Sequence, residues 1–180
     1  MKRTTLLMLA LLVAPAAAQA QGAPVADGLR LYLRQFKGNL TAAVDDFPVA
    51  KLPYKPTPVS QSVATIVEHL SGSNFVLCSS VSGVPAPTDA AIPTPDMASP
   101  EELKARFARS WAFCDQVVGK MTDAGLADSV PFFGTAKRTR AAVILALPYD
   151  WADHYSQLAN YLRLNVISPP NARVRAVPLQ

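Results

Sequence analysis

The sequence predicts an all-α four-helix bundle, and three observations carry that expectation. Four long segments repeat apolar residues at three- and four-residue steps, the spacing that lines up one face of a helix. The sixteen prolines gather almost entirely between those segments, first as Pro48, Pro53, Pro56 and Pro58, then as Pro85, Pro87, Pro93 and Pro95. Proline breaks helices and stiffens connectors, so these runs mark boundaries. No segment alternates polar and apolar residues as a half-buried strand does. Half of the residues are hydrophobic, with no internal repeat or low-complexity tract, which suits one domain with a real core.

Residues 1–20 read as a secretory signal peptide. Met1-Lys2-Arg3 is a basic start, Leu6 to Ala14 is apolar, and Ala18-Gln19-Ala20 is a cleavage site before Gln21. The apolar stretch is too short for a stable membrane span, and nothing later offers a second one. The signal is bacterial in style, so the expected address is periplasmic or secreted, with residues 21–180 as the mature domain. Lys2 and Arg3 supply two of the four net positive charges, so half of the net charge belongs to targeting. Lys137, Arg138 and Arg140 form the one local basic cluster. No aromatic residues interleave with it, which argues against nucleic-acid binding and for a solvated face at a helix start.

The first helix is expected from about Val25 to Phe47, with Leu29, Tyr32, Phe36, Leu40, Val44 and Phe47 in phase. The second is expected from about Ser60, near its cap, to Ser79, with Val63, Ile66, Val67, Leu70, Val76 and Leu77 inward. The third has the sharpest start: Ser99-Pro100-Glu101-Glu102 places a capping serine, a proline at the first helical position and a glutamate at the third. Its stripe is Leu103, Phe107, Trp111, Cys114, Val118 and Met121. The fourth runs from about Arg138 to Asn165, with Ile144, Leu147, Trp151, His154, Leu158 and Tyr161 in phase. Trp111, Trp151 and Tyr161 read as core rather than as a substrate platform.

Connector lengths bear on topology. Roughly 12 residues between the first two helices reach about 40 Å when extended, whereas a helix of about 20 residues is about 30 Å long. Thr122 to Lys137 offers similar reach. Such lengths exceed what an up-down-up-down bundle needs, so the expected order is up-up-down-down.

His69 and His154 are the only histidines, and each falls where a packed helix should carry an apolar side chain. A buried imidazole must find a partner, because an unpaired polar group costs a few kcal/mol. Asp150 and His154 lie four residues apart and share one helix face. With His69 opposite, they form a two-histidine, one-carboxylate set of the kind that open metal sites use. A competing reading has Asp150 merely satisfying the helix end created by Pro148, the proline that also frees the Ile144 carbonyl. Asp153 is rotated away from His154 by about 100° and is expected to be exposed.

These residues sit in a pattern that resembles the DinB-like (damage-inducible protein DinB) family of bacterial four-helix bundles. The likeness rests on Tyr54-Lys55-Pro56-Thr57-Pro58 before the second helix and Glu68-His69-Leu70 within it. It continues in His154-Tyr155, Tyr161-Leu162-Arg163-Leu164 and Ser168-Pro169-Pro170. The resemblance implies a divalent-metal site with one histidine on the second helix and an H-x-x-x-H pair on the fourth. His69 takes the first place and His154 the second place of the pair, while Asp150 stands where the family carries histidine. Aspartate suits zinc, iron or manganese and makes nickel preference less sharp; zinc is the leading expectation. Some relatives are metal-dependent S-transferases that use low-molecular-weight thiols.

Hydrolysis is chemically open to the same ligand set. No separate nucleophile motif, phosphate loop or dinucleotide fingerprint is present. The expected function is therefore an exported metal-dependent enzyme, S-transferase-like or hydrolase-like, acting on a small molecule of undetermined class. The alternative is a non-catalytic module that binds a metal or small ligand. A homodimer remains open. Cys78 and Cys114 are read as a disulfide, as two buried thiols, or as a ligand or catalytic thiol. Antiparallel neighbouring helices starting together do not obviously bring them within the required 4.4 to 6.8 Å or so between Cα atoms.

Overall fold

The computed structural model describes residues 22–90 and 99–173, so the expected signal peptide, residues 1–20, lies outside the described residues. Four long helices carry the fold: α1 (Pro24–Asp46), α2 (Val63–Ser82), α3 (Pro100–Val118) and α4 (Arg140–Leu164). A one-turn helix, α5 (Pro170–Arg173), follows, and two short strands, β1 (Ser129–Pro131) and β2 (Lys137–Thr139), lie between α3 and α4. The all-α bundle is as expected. None of the helices of the described residues is long and apolar enough to cross a membrane.

Local chemistry sets the helix starts. Ser62, rather than Ser60, caps α2 by accepting from the Thr65 N–H at 3.0 Å, and Ser99 caps α3 through the Glu102 N–H at 3.1 Å. Thr139 caps α4 in the same way, at 3.2 Å from the Ala142 nitrogen. Helix α1 has no side-chain cap of its own. Asp123, from the connector after α3, accepts from the Val25 and Ala26 N–H groups at 3.0 and 2.8 Å. An anion at a helix start is favoured there by the unpaired N–H groups and the dipole. At the other end of α2, Gly83 sits at φ +73° and closes the helix through Ser79 O, a left-handed turn that favours glycine.

Side-chain pairs reveal the chain directions. Glu68–Arg106, Asn74–Ser110 and Cys78–Cys114 match α2 and α3 residue by residue in rising order, so these helices run parallel. Arg30 reaches the Val118 carbonyl at 3.1 Å, and Lys104 meets Asp45 at 3.1 Å, so α1 opposes α3. Arg140 binds the Val81 carbonyl while Tyr161 binds that of Gln61, so α4 opposes α2.

The order is thus up-down-down-up, a correction to the expected up-up-down-down. The long connectors at 47–62 and 119–139 are folded locally instead of being stretched across the bundle. Leu52 and Tyr54 carbonyls accept from Ala64 and Val63 at 2.9 and 3.3 Å, holding the first connector on the start of α2. The second is taken up by the β1–β2 hairpin and by Arg140 N–H to Asp128 O at 2.8 Å. Those strands were not expected, because three residues each are too few to show alternation. Lys137 and Arg138 are exposed in β2. Arg140, expected on a solvated face, instead donates to the carbonyls of Gly125 and Val81.

The parallel run of α2 and α3 also decides the cysteines. They occupy equivalent depths in two helices that start together, and they form a disulfide with Cα atoms 5.4 Å apart. Both are fully buried. The expected stripes of α3 and α4 are all buried, Trp111, Trp151 and Tyr161 among them. Two inward assignments fail: Tyr32 is 47% exposed and Val76 38% exposed, while Leu33 and Asn74 take the core positions. Helix α2 lies against both α3 and α4 and is buried nearly all round.

Candidate metal centre

Helices α2 and α4 bring His69, Asp150 and His154 together. Pro148 stands inside α4 without ending it, so Asp150 and His154 keep their shared face. Rotation of α4 against α2 is held by a buried chain of hydrogen bonds one residue from Asp150. Trp151 Nε1 donates to Asn74 Oδ1 at 2.8 Å, Asn74 Nδ2 to Ser110 Oγ at 3.1 Å, and Ser110 Oγ to the Phe107 carbonyl at 2.8 Å. A buried network satisfied at each step specifies one arrangement strongly. Trp111 flanks Trp151 at 5.3 Å between ring centroids.

Asp150 is the hub. Its Oδ1 lies 3.1 Å from His69 Nε2 and 3.5 Å from His154 Nε2, and the two imidazole centroids are 4.5 Å apart. One nitrogen from each histidine and one Asp150 oxygen all fall within 4.8 Å of one another. Asp150 Oδ1 therefore faces the two histidines and not a helix end at Pro148. Its other oxygen, Oδ2, is buried and has no hydrogen-bond partner. A carboxylate oxygen shielded from water without a donor is costly unless a cation or proton meets it.

The electrostatics agree with a charged hub. Burial alone would raise the Asp150 pKa, yet hydrogen bonds and charge from His154 and His69 outweigh it and lower the pKa to about 2. For His154, burial pulls the pKa down, while the Asp150 hydrogen bond and charge pull harder, leaving it raised. Two imidazole nitrogens and a carboxylate oxygen are the donors that zinc, iron, manganese and nickel accept. The residues fit a divalent cation.

The two histidines differ in exposure. His154 is buried, as expected, but the His69 side chain is 42% exposed, so it is not at a core position. The core polar residue beside it is Glu68, paired to Arg106 at 2.9 Å with both side chains 3% exposed. Burial raises the Glu68 pKa despite the Arg106 charge. Arg106 also donates to the Ala90 carbonyl at 2.7 Å. Glu68 was legible in principle, since Phe75 and Cys78 continue its face at helical steps; a one-stripe view of α2 conceals it.

Two further polar side chains escaped the sequence reading. Ser73 Oγ lies 3.2 Å from His69 Nε2, one turn along α2. Gln157 Oε1 lies 3.3 Å from His154 Nδ1, and Gln157 Nε2 donates to Asp153 at 3.0 Å. Asp153 is exposed, as expected. The cysteines take no part as ligands, because both sulfurs are committed to the disulfide. Among the described residues, His69, Asp150 and His154 are the one such cluster of three.

A family model described as the DinB superfamily matches residues 32–158. No curated protein matches the sequence. Among solved structures, the fold is similar to that of a DinB-like protein from Bacillus subtilis. That match has a TM-score of 0.62 and 16% identity, and covers 78% of this chain and 93% of that one. A DinB-like protein from Bacillus cereus aligns with a TM-score of 0.62 at 17% identity, over 80% and 95% of the two chains. A conserved protein from Enterococcus faecalis aligns with a TM-score of 0.52 at 18% identity, over 78% and 94%.

Proposed function

Because this chain belongs to the DinB superfamily, we propose that His69, Asp150 and His154 bind one divalent cation and form the centre of a metal-dependent enzyme. The carrying observation is the convergence of three ligand atoms from α2 and α4 around the half-buried Asp150 carboxylate, whose buried Oδ2 has no protein donor. Zinc is the leading candidate, with nickel, iron and manganese compatible with the same donors.

The half-exposed His69 leaves one side of the cluster facing solvent. With three protein ligands and no thiolate to complete the shell, a place for a small molecule is left, as catalytic sites require and closed structural sites do not. When bound, the cation supplies Lewis acidity toward a thiol or a water molecule. His69, Asp150 and His154 hold it, and Asp150 keeps its negative charge for that purpose at any ordinary pH. The reaction class is S-transferase-like or hydrolase-like, on a small-molecule substrate. The second reading, a non-catalytic binding module, shares the same ligands and differs only in turnover. Export to the periplasm or medium is part of the proposal. Its supports are the N-terminal pattern of residues 1–20 and the Cys78–Cys114 disulfide, which an oxidising compartment favours.

The test is elemental analysis of purified mature protein, followed by thermal melts with and without a chelator. We expect about one equivalent of metal and a lower Tm after chelation, since a ligand held only by the native state stabilises by mass action. His154→Ala should lose both the metal and the Tm increment. Asp150→His, which places the family's usual residue at that position, should retain both. A melt indifferent to chelator, together with no bound metal, would overturn the proposal. Screening the loaded protein against thiol-transfer and hydrolysis substrates then separates enzyme from module.

A further inference from the structure

We infer that Gln157, held by Asp153, is a positioning residue that prepares His154 for metal by stabilising the tautomer with its proton on Nδ1. The inference rests on the proposed metal site and adds to it the device that aims one ligand. Asp153, His154 and Gln157 all lie on α4, within two short hydrogen-bonding steps of each other.

The assignment of donors follows from the outermost group. An ionised carboxylate only accepts, so the Gln157 atom 3.0 Å from Asp153 Oδ2 is the amide nitrogen. That orientation turns the Gln157 carbonyl oxygen toward His154 Nδ1, 3.3 Å away. A carbonyl oxygen cannot donate, so the hydrogen bond forms only when Nδ1 carries the proton. A neutral imidazole protonated on Nδ1 has its lone pair on Nε2, and Nε2 is the nitrogen that faces Asp150 Oδ1. Gln157 thus opposes the pull of Asp150, which by itself would favour the proton on Nε2 and block the metal. Ligating histidines commonly donate their second N–H to such an acceptor, and its removal weakens metal binding by roughly 10–100-fold. Because Asp153 is exposed and Gln157 half-buried, the low end of that range is expected.

Two readouts test this. The chain has only two histidines, so imidazole nitrogen NMR spectra are simple, and His69→Ala assigns the His154 signals. In metal-free protein at alkaline pH, the fraction of His154 protonated on Nδ1 should fall in Gln157→Leu relative to wild type. Zinc affinity should fall by about 10-fold in the same variant. The pair Asp153→Asn/Gln157→Glu exchanges donor and acceptor across the outer hydrogen bond and keeps an acceptor on Nδ1, so it should restore both readouts. Equal tautomer fractions in wild type and Gln157→Leu overturn the inference, as does unchanged zinc affinity in that variant. Should wild type take up no zinc, the proposed function fails, and the tautomer comparison alone decides the role of Gln157.

Discussion

Asp150 and His154 stabilise one another across a definite pH window. The Asp150 pKa is lowered to about 2 from an ordinary value near 3.9, so its contribution is present above about pH 4 and is lost as pH falls toward 2. The His154 pKa is raised, so its contribution is complete below about pH 6.5 and disappears as pH climbs through the folded value. Both shifts describe largely the same contacts and are counted once, on the order of 2 kcal/mol. In metal-free protein, the stability difference between wild type and Asp150→Asn should therefore be greatest between about pH 4 and 6.5. Urea melts across that range check it; a difference that does not vary with pH would contradict it. Metal affinity should run the other way and rise with pH, because the ligands must shed protons. The convergence of His69, Asp150 and His154 was legible because an i, i+4 spacing survives any helix packing and histidines are rare here. Ser73 and Gln157 were not: Ser73 is a buried polar residue on a helix enclosed nearly all round, and Gln157 is half-buried on α4, so neither carries a periodic signal.

Helix α2 is where periodicity misled. A helix with one neighbour shows one apolar stripe, but α2 touches α3 and α4 and buries Glu68, Asn74 and Ser71 along with its leucines and valines. The Glu68–Arg106 pair is the costliest of these to disturb. Arg106→Leu should destabilise the protein by about 3–5 kcal/mol, because it strands a buried carboxylate, whereas Glu68→Leu/Arg106→Leu should recover most of that loss. Denaturant melts of the single and double variants measure the coupling, and equal losses in both would show that the Arg106 contact to Ala90 matters more than the pair. Chain direction was hidden for a different reason. Connector length limits how far a segment can reach and says nothing about whether it is used; Leu52 and Tyr54 fold their connector back onto α2. What would have disclosed the parallel pair is the matching depth of Cys78 and Cys114, each about fifteen residues into its helix.

For the whole molecule, the disulfide and the proposed export belong together. The bridge spans 36 residues, and the loop-closure argument gives it about 4 kcal/mol at the expense of the unfolded chain's freedom. Cys78→Ala/Cys114→Ala should lower stability by roughly that amount while leaving metal content unchanged, since neither sulfur is a ligand. Loss of metal from a variant that remains folded would refute the three-ligand site. Mass spectrometry of protein recovered from the expressing cells should find a chain beginning at Gln21 and lighter by two hydrogens for the bridge; an intact Met1 or two free thiols would count against export. The bundle itself was the most legible level, because four long periodic segments and proline-rich gaps leave few alternatives. The hairpin was the least, being three residues to a strand.

Because the chain has two cysteines, just one intramolecular pairing exists. Within one chain its oxidation therefore needs an electron acceptor and has no wrong intramolecular bond to reshuffle. The partners are consecutive cysteines on α2 and α3, and in a chain exported as proposed both would emerge before α4. In such a chain the bridge could close before Asp150 and His154 arrive, whereas the cluster needs α4 and would be completed last.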